Sequence, residues 1–536
     1  MPPHMMDYPL LLSTLYDRAV MLFADREIVS VEADGGRHRT TYGETDDRVR
    51  RLASALGRFG VGQGGVVGTI GWNTHRHHEL YWATANTGRV CHTLNIRLFP
   101  EQLTYIINHA EDEVLFVDAS LASLVAPIQH ELPTVRHWVV MDGDPAASGL
   151  EGAVGYEELL AESEPTGHWP AVDERSPMMF CYTSGTTGNP KGVAYTQRST
   201  YMHTVTNMGT LGMTGADNLL PIVPMFHAAA WGMPFIATTV GAKITYPGAD
   251  LTPGGLVPLF VDEHVTFSAG VPTVFLGMQQ YLMDHPDERL PSDLRLVCGG
   301  SAVPRGLMAW YLEHQGIRID QAWGMTETNP VASVAMLRPD MLEWPLERQL
   351  DVMETVGVPM PGLRMKIVDD EGNELPHDGE AFGELLIQGP WIAAEYFRDD
   401  RQDAFVDGWM RTGDVCTISP DGYVRITDRA KDVIKSGGEW ISSLDLENTI
   451  MAHPAVAEAV VVGVRHDKWQ ERPVAFVVRR PGQHPTEEEI LGYLGPLVAK
   501  WWLPDKVVFI DEIPKTGTGK FDKKVIRAEY ETILVD

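Results

Sequence analysis

Short apolar runs separated by helix-length stretches constrain this chain more than any other feature of its sequence. Asp46–Arg58 has helical spacing, with Leu52, Leu56 and Phe59 on one face. Gly64–Gly65 introduces the apolar run Val66–Ile70, and Val114–Val117, Trp138–Met141 and Leu294–Cys298 follow as further runs. Each is rich in β-branched or aromatic residues and is closed by turn formers, as buried strands are. Strands separated by helices predict an α/β fold with crossover connections. At 536 residues the chain exceeds one ordinary hydrophobic core, so more than one domain is expected.

The C-terminal hundred or so residues read differently. Asp421–Gly422 marks a turn, followed by the strand-like Tyr423–Ile426, Ala459–Val464 and Val474–Val478. Thr486 and Glu489 form a capping-box pattern ahead of Ile490, Leu494 and Leu497. This is the signature of a compact α+β unit. The charged run Asp428–Asp432 is the expected boundary, giving domains 1–427 and 433–536 with a linker at 428–432.

Charge and cysteine content exclude several functions. With 73 acidic against 43 basic residues, the net charge of -30 repels nucleic acid and anionic membranes. Cys91, Cys181, Cys298 and Cys416 are far apart, which argues against a zinc cage or disulfide framework and favours a reducing, cytoplasmic location. The N-terminus lacks a signal-peptide pattern, and no apolar stretch is long enough to span a membrane. His75, His77, His78 and Glu79 lie in HRHHE, which lacks the second His of HExxH because Trp82 stands there. This run is expected to be a solvated helix face.

The segment most informative about chemistry is Tyr182–Val193, YTSGTTGNPKGV, which leaves the apolar run Met178–Cys181. Gly185, Gly188 and Gly192 permit tight turning and close approach to a ligand. Thr183, Ser184, Thr186 and Thr187 supply hydroxyls and Lys191 a positive charge, so the segment has the makings of a phosphate cradle. It is not a Walker loop, because Lys191 is followed by Gly. Further along stand GMTET at Gly324–Thr328, TGD at Thr412–Asp414, DRAKD at Asp428–Asp432 followed by VIKSGGEWIS, and KTGTGK at Lys515–Lys520.

In this order the segments resemble the motifs of the adenylate-forming superfamily, and most resemble those of medium- and long-chain fatty acyl-CoA synthetases. The resemblance implies a large N-terminal α/β domain of packed sheets and helices and a small mobile C-terminal α+β domain. It implies that ATP activates a carboxylic acid as an acyl-adenylate, with pyrophosphate released and the acyl group then passed to the thiol of CoA. Such a reaction brings anions together, so it needs alignment and charge neutralisation.

By the same resemblance Glu327 and Thr187 hold Mg2+, and Thr326 and Thr187 contact phosphate. Asp414 binds the ribose, Arg429 bridges ribose or phosphate, and Trp323 stacks on adenine. Gly299, Gly300, Ser301 and Ala302 border the adenine, and Gly324 and Met325 complete the nucleotide site. Lys520 is the catalytic cation of adenylation. Rotation about Asp428 then replaces it with Lys435 and Gly437, Gly438, Glu439 and Trp440 for transfer to CoA.

In Pro224–Pro234, PMFHAAAWGMP, His227 stands where amino-acid-activating relatives carry Asp, which favours a simple carboxylic acid. His227, Trp231, Gly232 and Val271 are the expected acyl-site residues, with Met233, Phe235 and Phe267 as further walls. Gln197 departs from the His many relatives carry there. Transfer to an amine, giving an amide ligase, stays open, as do aryl and thioether acids. A nucleotide-binding scaffold would have no need of Lys520, Glu327 and Asp414 together. Homodimerisation is implied by resemblance alone.

Overall fold

The apolar runs do form strands, and in the two large sheets of the N-terminal unit most of the pairings are parallel. A computed structural model describes residues 4–183, 189–400, 403–429, 432–436, 439–466, 468–514, 521–531 and 533–534. Packing divides the chain into two units, Met1–Arg364 with Gln388–Met410, and Met365–Ile387 with Arg411–Asp536. The mixed α/β sheets and the separate C-terminal α+β arrangement match the expected fold class. The second unit also takes in residues 365–387 and 411–427, which lie ahead of the charged run at Asp428. The chain passes between the units along Arg364–Val368, Phe382–Gln388 and Trp409–Ile418.

The first unit holds two large sheets. One runs Val154–Gly155, His137–Val140, Asp112–Val117, Val66–Ile70, Val90–Thr93, Pro177–Tyr182, Gly192–Thr196, parallel except for the last pair. The other has nine strands, with Ile319–Gly324, Arg295–Gly299, Phe267–Gly270, Asn218–Pro221, Lys243–Tyr246 and Glu27–Val31 as its parallel centre. The helix predicted over Asp46–Arg58 starts earlier, at Tyr42, because Thr41 and Glu44 form a capping box.

The helix His75–Thr87 packs against strands of both sheets. The expectation of a solvated HRHHE face is therefore wrong. His75, His77, His78 and Glu79 are all at most 1% exposed. His77 Nδ1 lies 3.1 Å from the Trp72 carbonyl oxygen and His78 Nδ1 2.6 Å from the Tyr246 hydroxyl. Glu79 accepts from Arg48 Nε at 2.7 Å and from the Tyr156 hydroxyl at 2.6 Å. Covered on both sides, this helix has no polar face to display.

In the second unit Val456–His466 and Gln470–Arg479 pair as a long antiparallel ribbon, extended by Lys506–Phe509 and Ile434–Ser436. Alternate residues of Val456–His466 feed opposite cores. Ala459 and Val461 pack with Leu446, Ile450, Ile490 and Leu494, whereas Val460, Val462 and Val464 pack with Phe476, Ile513 and Ile526. A sheet covered on both faces accounts for the unbroken apolar runs. The capping box at Thr486 and Glu489 starts the helix Glu487–Leu494.

Candidate active site

The phosphate-loop segment is the connection of a β-hairpin. Tyr182 pairs with Gly192 across antiparallel strands, and Thr183 N donates to the Lys191 carbonyl at 2.9 Å. Ser184, Gly185, Thr186, Thr187 and Gly188 lie outside the described residues. Gly192 has no room for a side chain, since a Cβ there would sit 2.9 Å from the Tyr182 ring.

Beside this hairpin stands a contact the sequence did not reveal. The Tyr396 hydroxyl donates to Glu327 Oε1 at 2.7 Å, and Lys191 Nζ lies 4.3 Å from the centre of the Tyr396 ring. Glu327 and Tyr396 are 6% and 7% exposed. Burial and the adjacent Glu327 push the Tyr396 phenol far above its ordinary value, so it stays a donor. The turn carrying Glu327 is pinned from several sides. Tyr195 donates to the Thr326 carbonyl at 2.8 Å, Met325 N donates to Thr328 Oγ1 at 2.9 Å, and Ala393 N donates to the Glu327 carbonyl at 2.8 Å. A Cβ at Gly324 would lie 1.8 Å from the Pro330 carbonyl oxygen, so only glycine fits. A buried, oriented carboxylate near an ammonium group is an oxygen donor set suited to a hard cation carrying phosphates.

Trp323 is the penultimate residue of the strand Ile319–Gly324 and is 7% exposed. The neighbouring strand ends at Gly299, and Gly300, with φ of +83°, turns the chain into exposed Ser301 and half-buried Ala302. A Cβ at Gly299 would meet Trp231 at 3.1 Å, and one at Gly300 would meet Val271 at 3.4 Å. The adenine-loop candidates and two acyl-site candidates are thus neighbours. Behind them a small apolar cavity with ≈ 10 Å³ of free space is lined by Leu211, Met213, Trp231, Met233, Phe267 and Val297.

Phe235, an expected wall, turns instead into the core, with its ring 5.5 Å from Tyr81 and 5.3 Å from Trp82. Exposed His227 precedes an unusual turn in which Ala228, Ala229, Ala230 and Trp231 all have left-handed φ, between 45° and 56°. Gly232 follows at φ of +78°, where a Cβ would lie 2.9 Å from His203. Gln197 is a buried clip. Its Oε1 accepts from Leu12 N at 3.1 Å and its Nε2 donates to the Ala85 carbonyl at 2.7 Å.

In the second unit Asp414 and Arg429 are cross-strand partners, with Arg429 Nε 2.8 Å from Asp414 Oδ1. Asp414 is 1% exposed, while the Arg429 side chain is half-exposed. Asp428 is buried within the strand Val424–Arg429 and accepts from Ser443 N and Arg429 N at 2.5 and 2.7 Å. Lys435 lies on the strand Ile434–Ser436, with Nζ 3.5 Å from Asp370. Its backbone partner is Trp440, and that of Ser436 is Glu439. Gly437, Gly438 and Lys520 lie outside the described residues.

All four cysteines are buried and free, and burial pushes the Cys181 thiol up to about 11. Among the described residues no helix is long and apolar enough to cross a membrane.

The AMP-binding enzyme model matches residues 16–397, and that of the AMP-binding enzyme C-terminal domain matches 445–520. The chain is 44% identical to the 3-methylmercaptopropionyl-CoA ligase of Ruegeria lacuscaerulensis, with 99% of both chains covered. It is 46% identical to the long-chain-fatty-acid–CoA ligase of Thermus thermophilus, covering 99% of this chain and 97% of that one. Its fold is similar to a crystal structure of the anthranilate CoA ligase AuaEII in complex with anthranoyl-AMP, with a TM-score of 0.86, 25% identity, and 98% and 99% of the two chains covered. Taken with the hairpin loop, the pinned Glu327 turn and the Asp414 strand, these matches show that the chain belongs to the AMP-binding enzyme family of the adenylate-forming superfamily, as an ATP-dependent, AMP-forming acyl-CoA ligase.

Proposed function

We propose that the acid is an apolar one of short to medium length, with thioether acids included. The observation that carries this reading is the apolar, closely filled space behind Trp231, which has no charged wall and only ≈ 10 Å³ free, so an acyl chain enters only as Trp231 and its neighbours give way. Relatives named for 3-methylmercaptopropionyl-CoA and for medium-chain fatty acids support this range, whereas another is named for long-chain fatty acids.

In this reading the carboxylate oxygen attacks the α-phosphorus of ATP as the bond to the bridging oxygen breaks and pyrophosphate leaves. Glu327, oriented by Tyr396, and Thr187 hold the Mg2+ that offsets phosphate charge. Thr183, Ser184, Gly185, Thr186, Gly188, Lys191 and Thr326 cradle the phosphates. Gly300, Ser301, Ala302, Trp323, Gly324 and Met325 flank adenine, and Asp414 and Arg429 take the ribose. Lys520 bridges carboxylate and α-phosphate. His227, Trp231, Gly232 and Val271 face the acid.

Movement about Asp428, within 428–432, then exchanges Lys520 for Lys435, Gly437, Gly438, Glu439 and Trp440. The CoA sulfur attacks the acyl carbon and AMP departs. The four buried thiols support a reducing, cytoplasmic setting. A homodimer is supported by family resemblance alone.

The test is acid-dependent pyrophosphate release over straight-chain acids from acetate to palmitate, with aryl and thioether acids added. Each acid is run with CoA, with amines, or with neither, and products are identified by mass. Acyl-CoA formation peaking at short to medium or thioether acids is expected. A peak at palmitate overturns the size assignment, and amide formation with CoA ignored overturns the acceptor.

A further inference from the structure

Of the histidines in HRHHE, His77 and His78 each have a polar atom within hydrogen-bonding distance of Nδ1, but neither ring nitrogen of His75 does. It opens the helix His75–Thr87, and its backbone N–H donates to Ser30 Oγ at 2.6 Å. Ser30 pairs across the hairpin with His38, and Glu32 follows the same strand. The hairpin Glu27–Thr41 and the helix start therefore bring Glu32, His38 and His75 together. One ligand atom from each lies within 4.8 Å of the others. The two imidazoles are stacked, with ring centres 4.0 Å apart and 19° between planes.

Four polar atoms of this cluster are buried without hydrogen-bond partners. Both ring nitrogens of His75, Nε2 of His38 and Oε1 of Glu32 are in this condition. His75 is 1% exposed. Its Nδ1 lies 3.6 Å from Glu32 Oε1, beyond a hydrogen bond. Buried polar groups without partners are uncommon, and several converging on one point call for a missing partner.

We propose that Glu32, His38 and His75 form a transition-metal site of the zinc type, distinct from the nucleotide site and clipping the edge hairpin to the inter-sheet helix. Two imidazole nitrogens and one carboxylate oxygen suit Zn2+ or Co2+ far better than Mg2+ or Ca2+. Three protein ligands leave a fourth position for water. The surroundings supply an outer shell. Arg76 Nη1 holds Glu32 Oε2 at 3.1 Å, which leaves Oε1 for the metal. Both local guanidiniums are engaged by carboxylates, Arg76 by Glu32 and Glu157, and Arg48 by Glu157 and Glu79. Ligand atoms around tetrahedral zinc stand about 3.3 Å apart. Closing from 4.8 Å requires the half-buried His38 ring to leave its stack on His75, because both imidazoles must aim an in-plane nitrogen at one ion.

The test uses the full chain, stripped with chelator and dialysed, without nucleotide or Mg2+. Titration calorimetry with Zn2+ is expected to give one strong equivalent per chain. Co2+ is expected to give the visible absorption of a four-coordinate ion, and Zn2+ to raise the unfolding midpoint. His38→Gln and Glu32→Gln each weaken binding at least tenfold and abolish the midpoint shift, whereas Glu327→Gln leaves both intact. His75→Ala is avoided because that residue is buried at a helix start. The proposal is overturned if no strong equivalent is found. It is equally overturned if that equivalent survives His38→Gln, which would place the ion among the other histidines of the 19.

Discussion

Replacing Tyr396 by Phe removes one hydroxyl and leaves the ring. The lost contact is a 2.7 Å hydrogen bond onto Glu327, in a setting where both residues are less than a tenth exposed. Hydrogen bonds to charged groups contribute about 1.5–3 kcal/mol. At about 1.4 kcal/mol per decade, that is a loss of roughly 10- to 150-fold in the affinity governed by Glu327 orientation. The Lys191 ammonium keeps its place over the ring, 4.3 Å from the centre, so the substitution isolates the hydroxyl. Because the phenol is held far above its ordinary value, it donates throughout the working pH range and pH adjustment does not mimic the mutation.

The assay is acid-dependent pyrophosphate release with free Mg2+ titrated at fixed ATP. Half-saturation in Mg2+ is expected to rise at least tenfold, while transfer to CoA from supplied acyl-adenylate is unchanged. Wild-type Mg2+ dependence in Tyr396→Phe would refute the assignment of Glu327 to the metal-nucleotide.

Three further outcomes are expected. Trp231→Ala removes a wall of the apolar cavity and should raise the kcat/KM ratio of decanoate over butyrate about tenfold or more, measured by competition. Gln197→Leu strands Leu12 N and should cost about 1–3 kcal/mol, seen as a lower unfolding midpoint with an unchanged acid preference. A shifted acid preference would return Gln197 to the acyl site. Burial outweighs Lys523, 2.6 Å away, and lifts the Glu447 carboxyl to about 7. The folded state therefore holds this proton more tightly than the unfolded one. Its stabilising effect is full below about pH 4.3 and is lost as pH rises through about 7. Urea unfolding of the Glu447→Gln protein should show a flatter stability profile between those limits than the wild type.

Local pattern carried the secondary structure well because it reports burial one residue at a time. Val66–Ile70 is a strand with the expected limits, and the Thr486 capping box starts a helix. The same logic failed at HRHHE, where two sheets cover one helix and polarity no longer marks the solvent side. Motif order pointed to candidate nucleotide-site residues through resemblance, but not to the groups that touch them. Tyr396 stands 69 residues from Glu327, and nothing local to WIAAEYF announces the contact. Glu32, His38 and His75 converge only through hairpin register and a helix start, which one-dimensional spacing does not encode. Gln197 looked like a departure in the acyl site because it follows a motif, whereas its amide faces Leu12 and Ala85.

The left-handed turn at Ala228–Trp231 has a consequence for how substrate length is measured. Left-handed helical backbone costs non-glycine residues about 1–2 kcal/mol each, and four in succession hold roughly 4–8 kcal/mol. That energy is released if the turn relaxes, and its last residue carries one wall of the apolar cavity proposed for the acid. The wall is thus a loaded latch rather than a fixed stop, and a longer acid gains from the backbone part of what it spends on displacing Trp231. Selectivity against chain length should then fall off gradually beyond the best acid, as a slope and not as a step.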